Sequence, residues 1–286
     1  MSFASSVIAP RRPFPIGSVL ADARHFQIVT LGALVAIHLA GFDLGASPAQ
    51  AAVTVAATLT TQLVCSRFAG AAFDWRSPLI TGFSLTLLLR THSPALWIAA
   101  AVLAIGSKYV LRLRGKHIFN PATFAIVALL VLSPDAWVSP GQWGNAVWLS
   151  LLLACCAGLV LQRAARADIA LAFLGSFAGL LLLRAWSLGD PLAIPLHQLQ
   201  SGSLLLFSFF MITDPRSTPD SRLCRIGFAA AVAGIAYWLQ FRWQLRPGAY
   251  YALFALSPLT PLLDRLLPAT RFAWRRELPQ PSTVEA

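Results

Sequence analysis

The sequence predicts an all-α fold: a polytopic integral membrane protein of about ten spans, built as two inverted five-span repeats with a short third segment in each. Three observations predict it. First, 57% of the 286 residues are hydrophobic and 12% charged, far from the roughly 45–50% apolar and 25% charged usage of soluble domains. Second, the apolar residues come in blocks, such as 26–42 and 225–240. These approach the ~20 residues a helix needs to cross the hydrocarbon, whereas a β-barrel would alternate apolar and polar residues. Third, the basic residues sit at block ends and fall overwhelmingly on one side once the blocks are threaded through a bilayer.

Apolar length and breakers together place spans at 26–43, 49–66, 78–90, 95–113 and 119–133, then at 145–163, 168–186, 201–213, 224–241 and 248–265. The order long, long, short, long, medium occurs twice. Because each set has an odd number of passes, the second enters from the opposite side, which makes the repeats inverted. The predicted organisation is a cytoplasmic N-terminal tail (1–25), a first repeat (26–133), an extracytoplasmic connecting loop (134–144), a second repeat (145–267) and a cytoplasmic C-terminal tail (268–286). With the N-terminus inside, all 22 lysines and arginines except Arg90, Arg184, Arg242 and Arg246 are cytoplasmic, and a shift by one span spoils this asymmetry.

A segment of about 12 residues rises only ~18 Å as a helix, short of a ~30 Å hydrocarbon core. Each third segment must therefore stop partway. Irregular backbone at that depth is tolerated only inside protein or beside a polar cavity, so the ends of the two short segments are expected to face an internal site.

Composition excludes other classes. The net charge of +11 is scattered at block ends rather than gathered into a stripe, so nucleic acid is not an expected partner. The residues before 26 lack the apolar region and small-residue site of a cleaved signal. Cys65, Cys155, Cys156 and Cys224 show neither metal spacing nor a disulfide pattern and read as small core residues. No P-loop, GxGxxG, CxxC or HExxH occurs, which argues against soluble-enzyme chemistry.

Polar residues near the short segments are the candidates for function. The first opens Ser77-Pro78-Leu79-Ile80-Thr81-Gly82 and closes at Arg90; the second ends Phe210-Met211-Ile212-Thr213-Asp214-Pro215-Arg216. Ionisable groups inside a membrane are costly and usually line a pathway, which makes Asp214 and Arg90 pathway candidates. The competing reading has Asp214 capping a turn and, favoured for this residue, Arg90 snorkelling to the interface. The fifth segment begins Gly115-Lys116-His117-Ile118-Phe119-Asn120-Pro121-Ala122-Thr123. Asn120 is placed as an N-cap and Pro121 as the first helical residue. The helix start, with Arg112, Arg114 and Lys116 nearby, suits an anionic group such as a flavin phosphate; an ordinary cap with ordinary loop charges is the favoured alternative on physics alone. His38 reads as a packing residue and Lys108 as a snorkelling one, and Tyr250, Tyr251, Trp238 and Trp243 as an interfacial belt.

At three stretches the chain resembles the RnfD membrane protein of the Rnf electron-transport complex and its counterpart, NqrB, in the sodium-pumping NADH:quinone oxidoreductase. They are Ser77-Pro78-Leu79-Ile80-Thr81-Gly82, Gly115-Lys116-His117-Ile118-Phe119-Asn120-Pro121-Ala122, and Phe209-Phe210-Met211-Ile212-Thr213-Asp214-Pro215. The resemblance covers most of the chain. It implies a fold similar to urea-channel architecture, flavin binding, and a place beside other membrane subunits of a redox complex in the bacterial inner membrane, coupling electron transfer to cation movement. Matched to those motifs, Thr81, Gly82, Lys116, Asn120, Pro121, Thr123, Thr213, Asp214 and Pro215 become the expected cofactor-binding set, for flavin or quinone. One family feature departs. Those proteins carry a covalent flavin mononucleotide on the last residue of a Ser-Gly-Ala-Thr motif in the loop joining the halves; here that loop has no Thr and Gly-Ala-Thr is absent from the chain. The expected cofactor is therefore noncovalent FMN or riboflavin. A non-redox channel or transporter on the same architecture is the rival reading.

Overall fold

The computed structural model of the chain describes residues 22–40, 47–140, 158 and 166–270. The expected sixth span at 145–163, apart from residue 158, lies outside the described residues, as do most of both tails and Cys155 and Cys156.

The first half contributes α1 (Ala23–Ala40), α2 (Pro48–Phe68), α3 (Arg76–Leu88), α4 (Pro94–Val110) and α5 (Pro121–Leu132). The second contributes α6 (Ala167–Leu188), α7 (Ala193–Leu199), α8 (Gly202–Leu206) running into a π-helical turn (Phe207–Met211), α9 (Arg222–Arg242), α10 (Gly248–Leu256) and, after a 3₁₀ turn (Ser257–Leu259), α11 (Thr260–Leu266). Local chemistry sets the starts. Ser47 caps α2 by accepting from Gln50 N–H at 3.0 Å, and Pro48, Pro94 and Pro121 occupy first-turn positions where a missing N–H costs nothing.

Three helices, α1, α6 and α9, are long and apolar enough to cross a membrane by length and composition; α4, α5 and the α8–π segment are shorter apolar helices. α2 is as long as α9, at 21 residues, but its buried face is Gln50, Thr54, Thr58, Gln62 and Ser66, a polar stripe at i, i+4 spacing. Its apolar residues, such as Leu63 and Val64, point outward. An apolar exterior around a partly polar interior is the arrangement lipid permits and water disfavours.

α3 and the α8–π segment, at the positions of the two expected short segments, lie innermost. Residues 84–91 at the end of α3 and 205–213 at the end of the α8 segment are buried throughout. α3 packs against α1, α2, α4 and α5. Its crossing of α2 is close at Gly82, where a Cβ would lie 2.9 Å from Thr58 Oγ1 and 3.2 Å from Val55 Cα. α2 packs on α4, and α4 on α5; in the second half α6 packs on α9, and α9 on α10. The α9 seam is small, built on Ala229, Val232, Ala233 and Ala236, which lets the backbones approach. Aromatic rings tie the second half together. Phe173 of α6 meets Phe207 at 5.0 Å, and Phe207 meets Tyr250 of α10 edge-on at 5.2 Å. Tyr250 is thus a core residue at 3% exposure rather than part of an interfacial belt, whereas Trp238 and Trp243 are exposed.

Two short antiparallel pairs satisfy the backbone where helices stop. β1 (Leu89–Thr91) pairs with β4 (Ala136–Val138), and Ser139 N–H donates to Leu88 O at 2.8 Å. β2 (Arg112–Leu113) pairs with β3 (Lys116–His117) across Arg114 and Gly115, both at positive φ (52° and 83°), the geometry of a two-residue hairpin turn. This hairpin carries the chain from the end of α4 to the start of α5.

Candidate functional site

The start of α3, the end of the α8–π segment and the start of α5 meet at a cavity of about 360 Å³. Each of the three stretches picked out in the sequence reaches it: Ser77, Ile80 and Thr81 from α3, His117, Asn120 and Pro121 from the hairpin and α5, and Phe209 to Met211 with Thr213 to Pro215 from the second half.

The π turn is what presents the third stretch. Ile212 N–H bonds to Phe207 O, an i→i+5 step that widens the helix, and such turns recur at functional sites. Asn120 then joins the two halves. Its Oδ1 accepts from Thr123 N–H at 3.0 Å, capping α5, while its Nδ2 donates to Met211 O at 3.3 Å. One side chain therefore satisfies an orphan donor of α5 and shares with Asp214 N–H the Met211 carbonyl at the end of the π turn. Thr123 stands behind this contact, with its hydroxyl on Met211 Sδ at 3.6 Å, and does not line the cavity.

Asp214 is held through both its carboxylate and its backbone carbonyl. His117 Nε2 lies 3.0 Å from its Oδ2, Arg216 N–H donates to Oδ1 at 3.1 Å, and the Ser217 hydroxyl donates to Oδ2 at 3.2 Å; the Thr218 hydroxyl donates to its backbone carbonyl at 2.8 Å. Burial pushes the Asp214 carboxyl up, but the His117 charge and hydrogen bond, with Arg216 N–H and the Ser217 hydroxyl, more than offset this and hold it at about 2. Asp214 is thus both the turn-capping group and a lining residue of the cavity; the two sequence readings are not exclusive.

Several expected residues are elsewhere. Gly82 is a helix-crossing position. Lys116 turns away from the cavity: its Nζ lies 2.8 Å from Asp264 Oδ2 and 3.1 Å from Asp220 Oδ1, clamping the hairpin to α11 and to the loop before α9. Arg90 does not snorkel. It is 5% exposed, at the far end of α3 from Thr81, and donates to Thr86 O at 2.7 Å and Leu89 O at 3.1 Å. His38 is buried with Nδ1 3.2 Å from Leu34 O, as a packing residue.

The structure adds residues that sequence reasoning passed over. Lys108 is buried rather than snorkelling; its Nζ donates to Ser77 Oγ at 2.8 Å and to Gln62 Oε1 at 3.2 Å. Gln62 in turn donates to Tyr109 Oη at 2.8 Å, and the Arg112 guanidinium lies 4.7 Å from the Tyr109 ring centroid. At the rim, Arg24 joins Asp22 and Asp74 at 2.7 and 2.5 Å, and Arg76 joins Asp74 at 3.3 Å while donating to His25 Nε2 at 3.1 Å. Burial raises the Asp22 and Asp74 carboxyls, and their arginine partners overcome this and hold both below the usual carboxylate range. The signal for Gln62 was its place in the i, i+4 polar stripe of α2; nothing local announced Lys108.

Residues 137–273 match the profile described as the NQR2, RnfD, RnfE family. Among relatives, the D component of the ion-translocating oxidoreductase complex of Stutzerimonas stutzeri is 27% identical over 261 residues, covering 66% of this chain and 73% of the relative. The protein of the same name from Escherichia coli K12 is 34% identical over 136 residues, covering 47% of this chain and 36% of the relative. That of Citrobacter koseri is 33% identical over 124 residues, covering 43% and 34%. The match thus spans only about a third of the length of the enterobacterial relatives.

Proposed function

We propose that this chain, which is similar over residues 137–273 to the NQR2, RnfD, RnfE family, is a membrane subunit of an ion-translocating oxidoreductase complex whose central cavity holds a noncovalent flavin. One observation carries the reading: three stretches far apart in sequence converge on one cavity of about 360 Å³. That volume lies at the small end of the ~300–1,000 Å³ usual for ligand pockets.

The lining suits a flat, polar-edged ring system. Ile80, Phe209, Phe210 and Met211 offer apolar surface for a ring face, and Gln62, Thr81, Asn120 and Thr213 offer polar edges. A bound flavin supplies the electron chemistry; the chain's own residues supply position, electrostatics and exclusion of water. Asn120 and the Met211 turn fix the junction between the halves, so a group held there is gripped by both. FMN and riboflavin are both candidates, with a quinone as a further redox partner, and neighbouring membrane subunits exchange electrons with the site. The Ser-Gly-Ala-Thr motif of covalent flavin attachment is absent, so acid precipitation of the purified protein is expected to release the flavin completely.

The finer architecture belongs to the same proposal: ten spans, two inverted repeats, both termini cytoplasmic, in the bacterial inner membrane. The packing of α2 on α4 and α4 on α5 in the first half, matched by α6 on α9 and α9 on α10 in the second, supports the repeat. Cation movement coupled to electron transfer would run beside Asp214, an ionised carboxylate on the cavity wall.

The buried polar stripe of α2 favours one alternative, a channel or transporter for a small solute. Solute flux through flavin-free proteoliposomes, abolished by Asp214→Asn, would support the transporter; flavin bound to the purified protein and no such flux support the redox reading.

A further inference from the structure

The cavity wall carries a buried cation that contacts only neutral oxygens, and we infer that Lys108 anchors an anionic, phosphate-type group of the ligand held there. This rests on the reading of the cavity as a ligand site and specifies the chemistry of its occupant.

Lys108 is 5% exposed, and its Nζ donates to two neutral oxygens, Ser77 Oγ and Gln62 Oε1. An ammonium has three N–H groups, so one remains. Among the described residues no carboxylate lies within ion-pair distance of it. The two acids on the wall are already engaged: Asp74 by Arg24 and Arg76, Asp214 by His117. A buried charge without a partner is costly and is kept where a ligand supplies the partner.

The surroundings reinforce the sign. Arg112 and Arg216 also reach the wall, and the positive end of the α5 dipole faces it at Asn120 and Pro121. The Ser77 hydroxyl, which accepts from Lys108, keeps its own hydrogen as a second donor to an anion. Lys116, the basic residue nearest to the α5 start in sequence, cannot take this part because Asp220 and Asp264 hold it. A neutral quinone or riboflavin has no anionic group to answer Lys108. A phosphate monoester such as that of FMN has one, and so does an anionic phospholipid headgroup.

The test is equilibrium binding of FMN and of riboflavin to the full chain in nanodiscs, in wild type, Lys108→Met and Lys108→Arg. The expected result is that wild type prefers FMN by about tenfold or more, the scale of one charge-assisted hydrogen bond. Lys108→Met loses that preference while still binding riboflavin, which shows that its cavity is intact, and Lys108→Arg retains most of it. Equal binding of the two flavins by wild type overturns the anion anchor and leaves the flavin reading standing. If neither flavin binds, thermal stabilisation by inorganic pyrophosphate, lost in Lys108→Met, sustains the anchor while the flavin reading falls; no stabilisation overturns both. Repeating the measurement in phosphatidylglycerol and in phosphatidylcholine nanodiscs separates the two phosphate sources. A preference for FMN that collapses only in the anionic lipid assigns the phosphate on Lys108 to a headgroup.

Discussion

Asp214→Asn removes one charge and almost no volume, which makes it the sharpest probe of the second-half turn. In the folded chain the carboxyl is held at about 2 against an ordinary 3.8. At 1.36 kcal/mol per pKa unit that displacement corresponds to about 2 kcal/mol of preference for the ionised form. Because the folded value is depressed, the contribution is present above the ordinary carboxylate value and is lost as pH falls through the folded one. The substitution should therefore cost about 2 kcal/mol at pH 5 and above, with the gap from wild type closing as pH falls from about 4 towards 2. The loss should be concentrated in the turn, since Arg216 N–H and the Ser217 hydroxyl lose a charged acceptor and His117 Nε2 loses its charged neighbour. Thermal unfolding of both proteins in detergent across that pH range, followed by tryptophan emission, reads the gap directly. A gap absent at pH 5, or undiminished at pH 2, would refute the reasoning that an ionised Asp214 carboxylate organises this turn.

Other perturbations follow from the same geometry. Gly82→Ala forces a Cβ to within 2.9 Å of Thr58 Oγ1 and 3.2 Å of Val55 Cα, so it should cost about 1–3 kcal/mol of stability; ligand affinity measured on the folded fraction should change little, because Gly82 does not line the cavity. Asn120→Ala removes the α5 cap and the donor to Met211 O, and about 1–2 kcal/mol should be lost, with faster amide exchange at residues 121–123 and 211–213 as the local readout. Lys116→Met leaves Asp220 and Asp264 as facing carboxylates. Limited proteolysis should then cut the 112–117 hairpin faster, and Asp264→Asn in the same background should partly restore protection.

Much of this organisation was legible because membrane helices announce themselves locally. Block length located the helices, the shortness of segments 78–90 and 201–213 located the buried ends, and Asn120-Pro121 located the start of α5 through cap chemistry that acts within four residues. What resisted was anything decided by a partner distant in sequence. Lys108 and Arg90 sit near segment ends, where long basic side chains ordinarily reach outward; Lys108 is held in by Ser77 and Gln62, and Arg90 donates inward to Thr86 O and Leu89 O. Lys116 looked available until Asp220 and Asp264, 104 and 148 residues further on by position, closed on it. Gln62 was readable in principle: Gln50, Thr54, Thr58, Gln62 and Ser66 repeat every fourth residue along one helix, a pattern that marks an interior face when the solvent is lipid.

The central claim is that the cavity where Ser77 to Thr81, His117 to Pro121 and Phe209 to Pro215 converge holds a noncovalent flavin. The most direct measurement is the visible absorption spectrum of the purified full chain before and after acid precipitation, with reconstitution by added flavin. The account predicts a flavin spectrum, all of it released to the supernatant by acid and restored on rebinding. A colourless protein that takes up no added flavin would contradict it.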